Sequence, residues 1–114
     1  MRSDHERFID ILEAIEKIER YVPRGRDTFE TDEMFQVWVV RHLQIIGEAA
    51  SRVSADTQAK FPEIPWGKII GMRHVLVHGY FDIDLDIVWS VIENDLTPLK
   101  SQFLIAEKDL NTSI

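Results

Sequence analysis

Apolar residues recur at intervals of three and four along most of the chain, and this spacing constrains the fold more than any other feature. The clearest stripe lies near the C-terminal end and comprises Leu85, Val88, Trp89, Ile92, Leu96, Leu99 and Phe103. Such spacing places apolar side chains on one face of an α-helix, whereas strands alternate with a period of two. Strand signals are nearly missing from the sequence. We therefore predict an all-α fold, a small antiparallel bundle of about five helices.

The first two predicted helices occupy the N-terminal half. The first has apolar residues at helical spacing over 8–22 and is ended by Pro23, which cannot continue a helix. Residues 27–30 are interpreted as a loop. Thr31 is a suitable N-cap for the second helix, which we expect to run to about Arg52.

Three further helices are predicted in the C-terminal half. A short helix follows Ser54, and the fourth begins near Pro65 and ends near Gly79, since proline suits the first turn and glycine the C-terminal end. The last helix starts in an acidic segment at 82–86. The Thr97-Pro98 pair is expected to kink it or restart it, and the tail at 107–114 is expected to fray.

The second predicted helix is apolar on more than one face. Its apolar side chains are Met34, Phe35, Val37, Trp38, Val39, Val40, Leu43, Ile45, Ile46, Ala49 and Ala50. A helix of this kind needs two surfaces to pack against. We expect the core of the chain to supply one and a second copy to supply the other, so that a single domain over residues 1–114 forms a homodimer.

Composition limits the classes of function. The 114 residues contain no cysteine and no apolar run near the roughly 20 residues that span a bilayer, and the charged N-terminus lacks a signal-type apolar stretch. We expect a cytoplasmic protein. The 13 basic and 20 acidic residues give a net charge of −7, which is unusual for a nucleic-acid binder. Any RNA contact must therefore be local; a basic protein partner is the alternative explanation for the acidity.

One short segment concentrates groups that could act on a phosphate. Between positions 73 and 80 it carries Arg73, His74, His78 and Tyr80. Arginine stabilises anionic phosphorus centres, and histidine can give or take a proton near neutral pH. His78 could remove the 2′ proton of RNA or protonate the leaving oxygen, while His74 or a second copy of the chain supplies the other group. Alternatively, the arginine, histidine and tyrosine side chains of this segment form a structural hydrogen-bond network and have no catalytic role.

The same segment resembles the R-x4-H-x-Y motif of HepT-like toxins, a family of the HEPN superfamily. Three other segments resemble the family in register, at 45–50, at 61–66 and at 84–89 followed by 95–96. Members often have asparagine after the motif arginine, where this chain has His74.

The resemblance implies a toxin that is a metal-independent endoribonuclease without cofactors and acts as a homodimer. It implies that Arg73 and His78 are catalytic, with His74 and Tyr80 in supporting positions. The implied partner is a MntA-type minimal nucleotidyltransferase, which neutralises such toxins by attaching AMP to the motif tyrosine, here Tyr80. The alternative is a non-catalytic helical partner or regulatory subunit of such a nucleotidyltransferase.

Other candidates have a structural alternative beside the functional one. His74 and His78 have the i, i+4 spacing of a helical metal pair, but no third ligand follows at motif spacing. Glu48 could support the site through a salt bridge to Arg73 or Arg41, or simply lie on the helix surface. The three tryptophans could stack on bases or pack in the core. Three further residues could line the cleft: Arg41, His42 and Lys68.

Overall fold

The computed structural model describes residues 2–75, 77–78 and 82–112. Within these ranges the chain forms seven α-helices: α1 (Asp4–Glu19), α2 (Gly25–Thr31), α3 (Glu33–Arg52), α4 (Ala55–Lys60), α5 (Trp66–Val75), α6 (Leu85–Ser90) and α7 (Leu96–Thr112). A 3-10 turn (Val22–Arg24) precedes α2, and a π-helical turn (Val91–Asp95) joins α6 to α7. Two strands of two residues each, β1 (Val77–His78) and β2 (Asp82–Ile83), form the remaining regular structure. The predicted all-α class is confirmed.

Side-chain caps set the start of the two long N-terminal helices. Ser3 and Glu6 form a capping box at α1, with each side chain accepting a hydrogen bond from the other residue's backbone N–H. Asp32 caps α3, because its carboxylate accepts from the N–H groups of Met34 and Phe35 at 3.0 and 3.2 Å. The predicted N-cap Thr31 is wrong, since that residue ends α2.

Helix α2 was not anticipated, because residues 27–30 were interpreted as a loop. The helix is only seven residues long, and Phe29 is the residue that it buries. One buried residue produces no periodic pattern, so the anchoring of α2 depends on tertiary contacts. The ring of Phe29 packs against Phe35 and Trp89, with centroids 5.3 Å away in both cases.

The C-terminal helix α7 continues further than predicted, to Thr112, and it is not interrupted at Pro98. Pro98 lies inside α7, and the π-helical turn immediately before α7 is where the hydrogen-bond pattern shifts. Proline has no N–H to bond the carbonyl four residues earlier, and a π turn accommodates such a defect without ending the helix. The predicted fraying after residue 107 is wrong as far as Thr112, because Ala106 is fully buried and Leu110 packs against the core.

An aromatic cluster at Phe8 joins three parts of the chain. Its ring lies 5.9 Å from Phe61, 6.1 Å from Trp66 and 5.4 Å from Phe103, measured between centroids. The indole N–H of Trp66 donates to the carbonyl oxygen of Phe61 at 3.1 Å, so this buried polar group is satisfied. The cluster fixes the start of α5 against α1 and α7.

Helix α3 occupies a central place in the bundle. It packs against α1 and α5, while α1 packs against α7. The close contact with α3 positions α5, whose C-terminal end carries the start of the phosphate-suited motif. Within the described part of the chain, no helix combines the length and apolar character needed to cross a bilayer.

Candidate functional site

The motif begins on a helix and continues on a strand. Arg73 and His74 lie in the last turn of α5, which ends at Val75. His78 lies in β1 and is the antiparallel partner of Asp82 in β2, and Val77 is the partner of Ile83. The predicted continuation of the helix to Gly79 is wrong. Val77 and Ile83 are β-branched and suit a pleated strand better than a helix.

Because of this backbone, the motif residues do not share one helix. The predicted helix ending near Gly79 would carry both His74 and His78, but α5 ends at Val75. The i, i+4 helical metal pair of His74 and His78 is therefore wrong as a geometry. The side chains of Arg73, His74 and His78, and all of Tyr80, lie outside the described residues.

Anchored helices flank the short ladder on both sides. On one side α5 packs against α3, with Ile69 and Met72 buried in the core. On the other side Asp84 caps α6, and its carboxylate accepts from the N–H of Ile87 at 3.1 Å. The motif arginine and histidine therefore belong to different elements, the last turn of α5 and the strand β1.

The residues expected to line a cleft have different environments. Arg41 is exposed on α3 and lines an open groove together with Glu48. His42 is buried, and its Nδ1–H donates to the carbonyl oxygen of Trp38 at 2.7 Å. Lys68 lines a different cleft, between α5 and α7, where its Nζ lies 3.3 Å from Asp95. Of these three residues, Arg41 is the one whose charge lies at a groove without a salt bridge to another described residue.

Two of the tryptophans are packing residues. Trp66 and Trp89 are buried in the core, so neither offers a face for an RNA base. Trp38 is 36% exposed, and its indole N–H donates to the carbonyl oxygen of Lys17. Glu48 accepts from Nε of Arg52 at 2.7 Å, and its predicted salt bridge to Arg73 involves a side chain outside the described residues.

Comparison with known proteins decides the family. The profile of the family described as Ribonuclease HepT-like matches residues 11–104, which include the whole motif. The chain belongs to the HepT-like ribonuclease family. The predicted membership of the HepT-like family is thus confirmed.

Individual relatives agree with this assignment. A protein of Thermococcus cleftensis named "Probable ribonuclease HepT" is 37% identical over 90% of this chain and 96% of its own length. A candidate RNase of Methanocaldococcus jannaschii is 33% identical over 82% of this HepT-like chain and 86% of its own length.

A longer protein of the same archaeon, whose name joins gamma-glutamylcyclotransferase with a candidate RNase, is 35% identical over 97% of this chain. The HepT-like chain spans only 51% of that relative. No solved structure matches this HepT-like chain at a significant level.

Proposed function

We propose that this HepT-like chain is a metal-independent endoribonuclease acting on cellular RNA in the cytoplasm, as the toxin of a toxin–antitoxin pair. The observation that carries the proposal is the intact R-x4-H-x-Y motif, from Arg73 to Tyr80, inside the region that matches the ribonuclease family. The change from helix to strand between Arg73 and His78 is compatible with a phosphate held between the two elements.

The proposed reaction is transfer of the phosphodiester to the substrate's own 2′-hydroxyl. The 2′-oxygen forms a bond to phosphorus and the bond to the 5′-oxygen breaks. His78 removes the 2′ proton or protonates the departing oxygen, and Arg73 stabilises the charge on the pentavalent phosphorus. His74 is a supporting residue. A second copy of the motif would supply the complementary acid or base.

We assign the dimer interface to an apolar patch on the outer face of α3. The patch consists of Met34, Val37 and Trp38, whose exposed fractions are 81%, 54% and 36%. The three side chains lie at helical spacing on one face and leave a large apolar surface open to solvent. Burial against the same patch of a second copy is supported by this exposure and by the need for two motifs.

The proposed antitoxin is a MntA-type nucleotidyltransferase that attaches AMP to Tyr80. A phosphate ester next to Arg73 and His78 would occupy the place of the scissile phosphate and exclude RNA. The alternative function is a non-catalytic partner of such a nucleotidyltransferase, favoured by the net charge of −7. It predicts stable co-purification with the partner but neither RNA cleavage nor growth arrest.

Cleavage of total RNA by purified protein in the presence of a chelator tests the proposal. We expect the wild type to cut, and Arg73→Ala and His78→Ala to lose activity by at least about a hundredfold, as is usual when a proton-transfer group or a charge stabiliser is removed. Arg20→Ala is a matched control, because Arg20 is an exposed arginine whose salt bridge within the described part of the chain is to Glu16. Equal cleavage by all four proteins would reject the assigned residues.

A further inference from the structure

Most of the arginines whose side chains are described are engaged by other residues of the chain. Among the arginines whose side chains are described, four form salt bridges with carboxylates: Arg2, Arg20, Arg26 and Arg52. The guanidinium of Arg24 lies 4.7 Å from the ring centroid of Tyr21. Within this set, only Arg7 and Arg41 have neither a salt bridge nor a ring contact. Their charges are available to a ligand.

These two arginines line one groove between α1 and α3. The Arg7–Arg41 groove has a volume of about 460 Å³ and is open to solvent. Its remaining lining residues are Asp10, Gln44, Ile45, Glu48 and Ala49. Arg41 is exposed and Arg7 is partly buried, so the groove presents guanidinium groups from two different helices.

The acidic residues of the groove are neutralised by arginines that do not line it. Both carboxylate oxygens of Asp10 accept from Arg2, at 2.7 and 2.6 Å. Glu48 accepts from Arg52 at 2.7 Å. Burial raises the pKa of nearby Asp4, but hydrogen bonds from Ser54 and Thr57 and the charge of Arg7 hold that pKa below its usual value. The groove lining therefore holds two arginines and two carboxylates, and each of these carboxylates has an arginine partner outside the groove.

We propose that the Arg7–Arg41 groove binds phosphate groups of single-stranded RNA. The proposal rests on the proposed ribonuclease function and identifies where an acidic chain can hold its polyanionic substrate. Guanidinium groups bind phosphate oxygens through planar paired donors. Helix α3, which carries Arg41, also packs against α5, which carries Arg73. In this proposal the RNA runs from the motif across α3 to α1.

Binding of a labelled single-stranded RNA whose 2′-hydroxyls are all methylated tests the groove, because this oligonucleotide cannot be cleaved through a 2′-oxygen. Fluorescence anisotropy over a range of salt concentrations compares wild type, Arg7→Gln, Arg41→Gln and the control Arg20→Gln. We expect each groove variant to bind about three- to tenfold more weakly, with a salt slope smaller by about 0.7. The control should match wild type. Melting temperatures should stay equal, since neither groove arginine has a salt bridge within the described residues.

The possible outcomes distinguish failure of the groove proposal from failure of the proposed ribonuclease function. If wild type cleaves RNA while all four proteins bind with the same affinity and salt slope, the groove proposal is wrong and the function stands. If wild type neither binds nor cleaves RNA, both are wrong. If Arg7→Gln and Arg41→Gln keep RNA binding but lose binding to polyglutamate, the groove serves an acidic protein partner and the RNA proposal is overturned.

Discussion

The carboxylate of Asp4 accepts a 2.6 Å hydrogen bond from the hydroxyl of Thr57, although 53 residues separate them in the chain. Ser54 donates to the same carboxylate through its hydroxyl at 2.6 Å and its N–H at 3.1 Å. Because Asp4 begins α1 and Ser54 caps α4, these bonds join two helix N-termini. Burial raises the pKa of Asp4, but the hydrogen bonds from Ser54 and Thr57 outweigh it and hold the pKa below its usual value.

We expect Asp4→Asn to lower stability and to flatten its dependence on acid pH. A depressed folded pKa contributes stability above the unfolded pKa of about 3.9, and this contribution is lost as pH falls through the folded pKa. Partly exposed charged hydrogen bonds should contribute about 1–2 kcal/mol at pH 7. Urea unfolding at pH 7, 5, 4 and 3 measures the free energy of unfolding of wild type and Asp4→Asn. Asp109→Asn, at an exposed position, is the control; equal pH profiles for both variants would contradict the prediction.

We expect Phe8→Ala to destabilise the fold severely. Phe8 is fully buried and its ring contacts three aromatic partners. Deleting a buried phenylalanine side chain costs about 3–5 kcal/mol, which is a large part of the 5–15 kcal/mol typical of a domain. Urea unfolding should show this loss, whereas Leu104→Ala at a 42% exposed position should change stability by less than about 0.5 kcal/mol. Similar unfolding midpoints for the two variants would show that the cluster is not a core.

The sequence predicts the long helices well because their burial is periodic. In α1, Phe8, Ile11, Ile15 and Ile18 follow the three-four spacing and are all fully buried. Short helices cannot be predicted in this way, because they bury too few residues to show a period. Helix α2 has one buried residue, Phe29, and is held by contacts with residues distant in sequence. Nothing local distinguishes it from a loop.

The motif was predictable in composition but not in backbone geometry. The apolar run after Arg73 fits helical spacing, yet its valines also suit a strand. Pairing of Val77 with Ile83 decides between them, and local sequence does not reveal that pairing. Arg7 was missed entirely, because an arginine on an amphipathic helix has no local signal. That Arg7 forms no salt bridge with another described residue is visible only in three dimensions.

We expect the double variant Met34→Glu with Val37→Glu to abolish the proposed homodimer. Two carboxylates in the apolar patch on α3 would have to be buried without partners, which a dimer interface does not tolerate. Size-exclusion chromatography with light scattering should show a dimer for wild type and a monomer for the variant. Ile105→Glu, at a 69% exposed position on α7, should remain dimeric. A wild-type monomer, or a variant that stays dimeric, would contradict this interface.

We expect Tyr80 to be the acceptor of AMP from the proposed nucleotidyltransferase. The chain has two tyrosines, and the other, Tyr21, packs against Phe35 and Trp38. After incubation with the partner and ATP, intact mass should rise in AMP-sized steps for wild type and Tyr21→Phe but not for Tyr80→Phe. RNA cleavage should fall in parallel with the mass gain, because the attached phosphate would occupy the place of the scissile one. A mass gain that survives Tyr80→Phe would assign the modification elsewhere and remove Tyr80 as the control point of the enzyme.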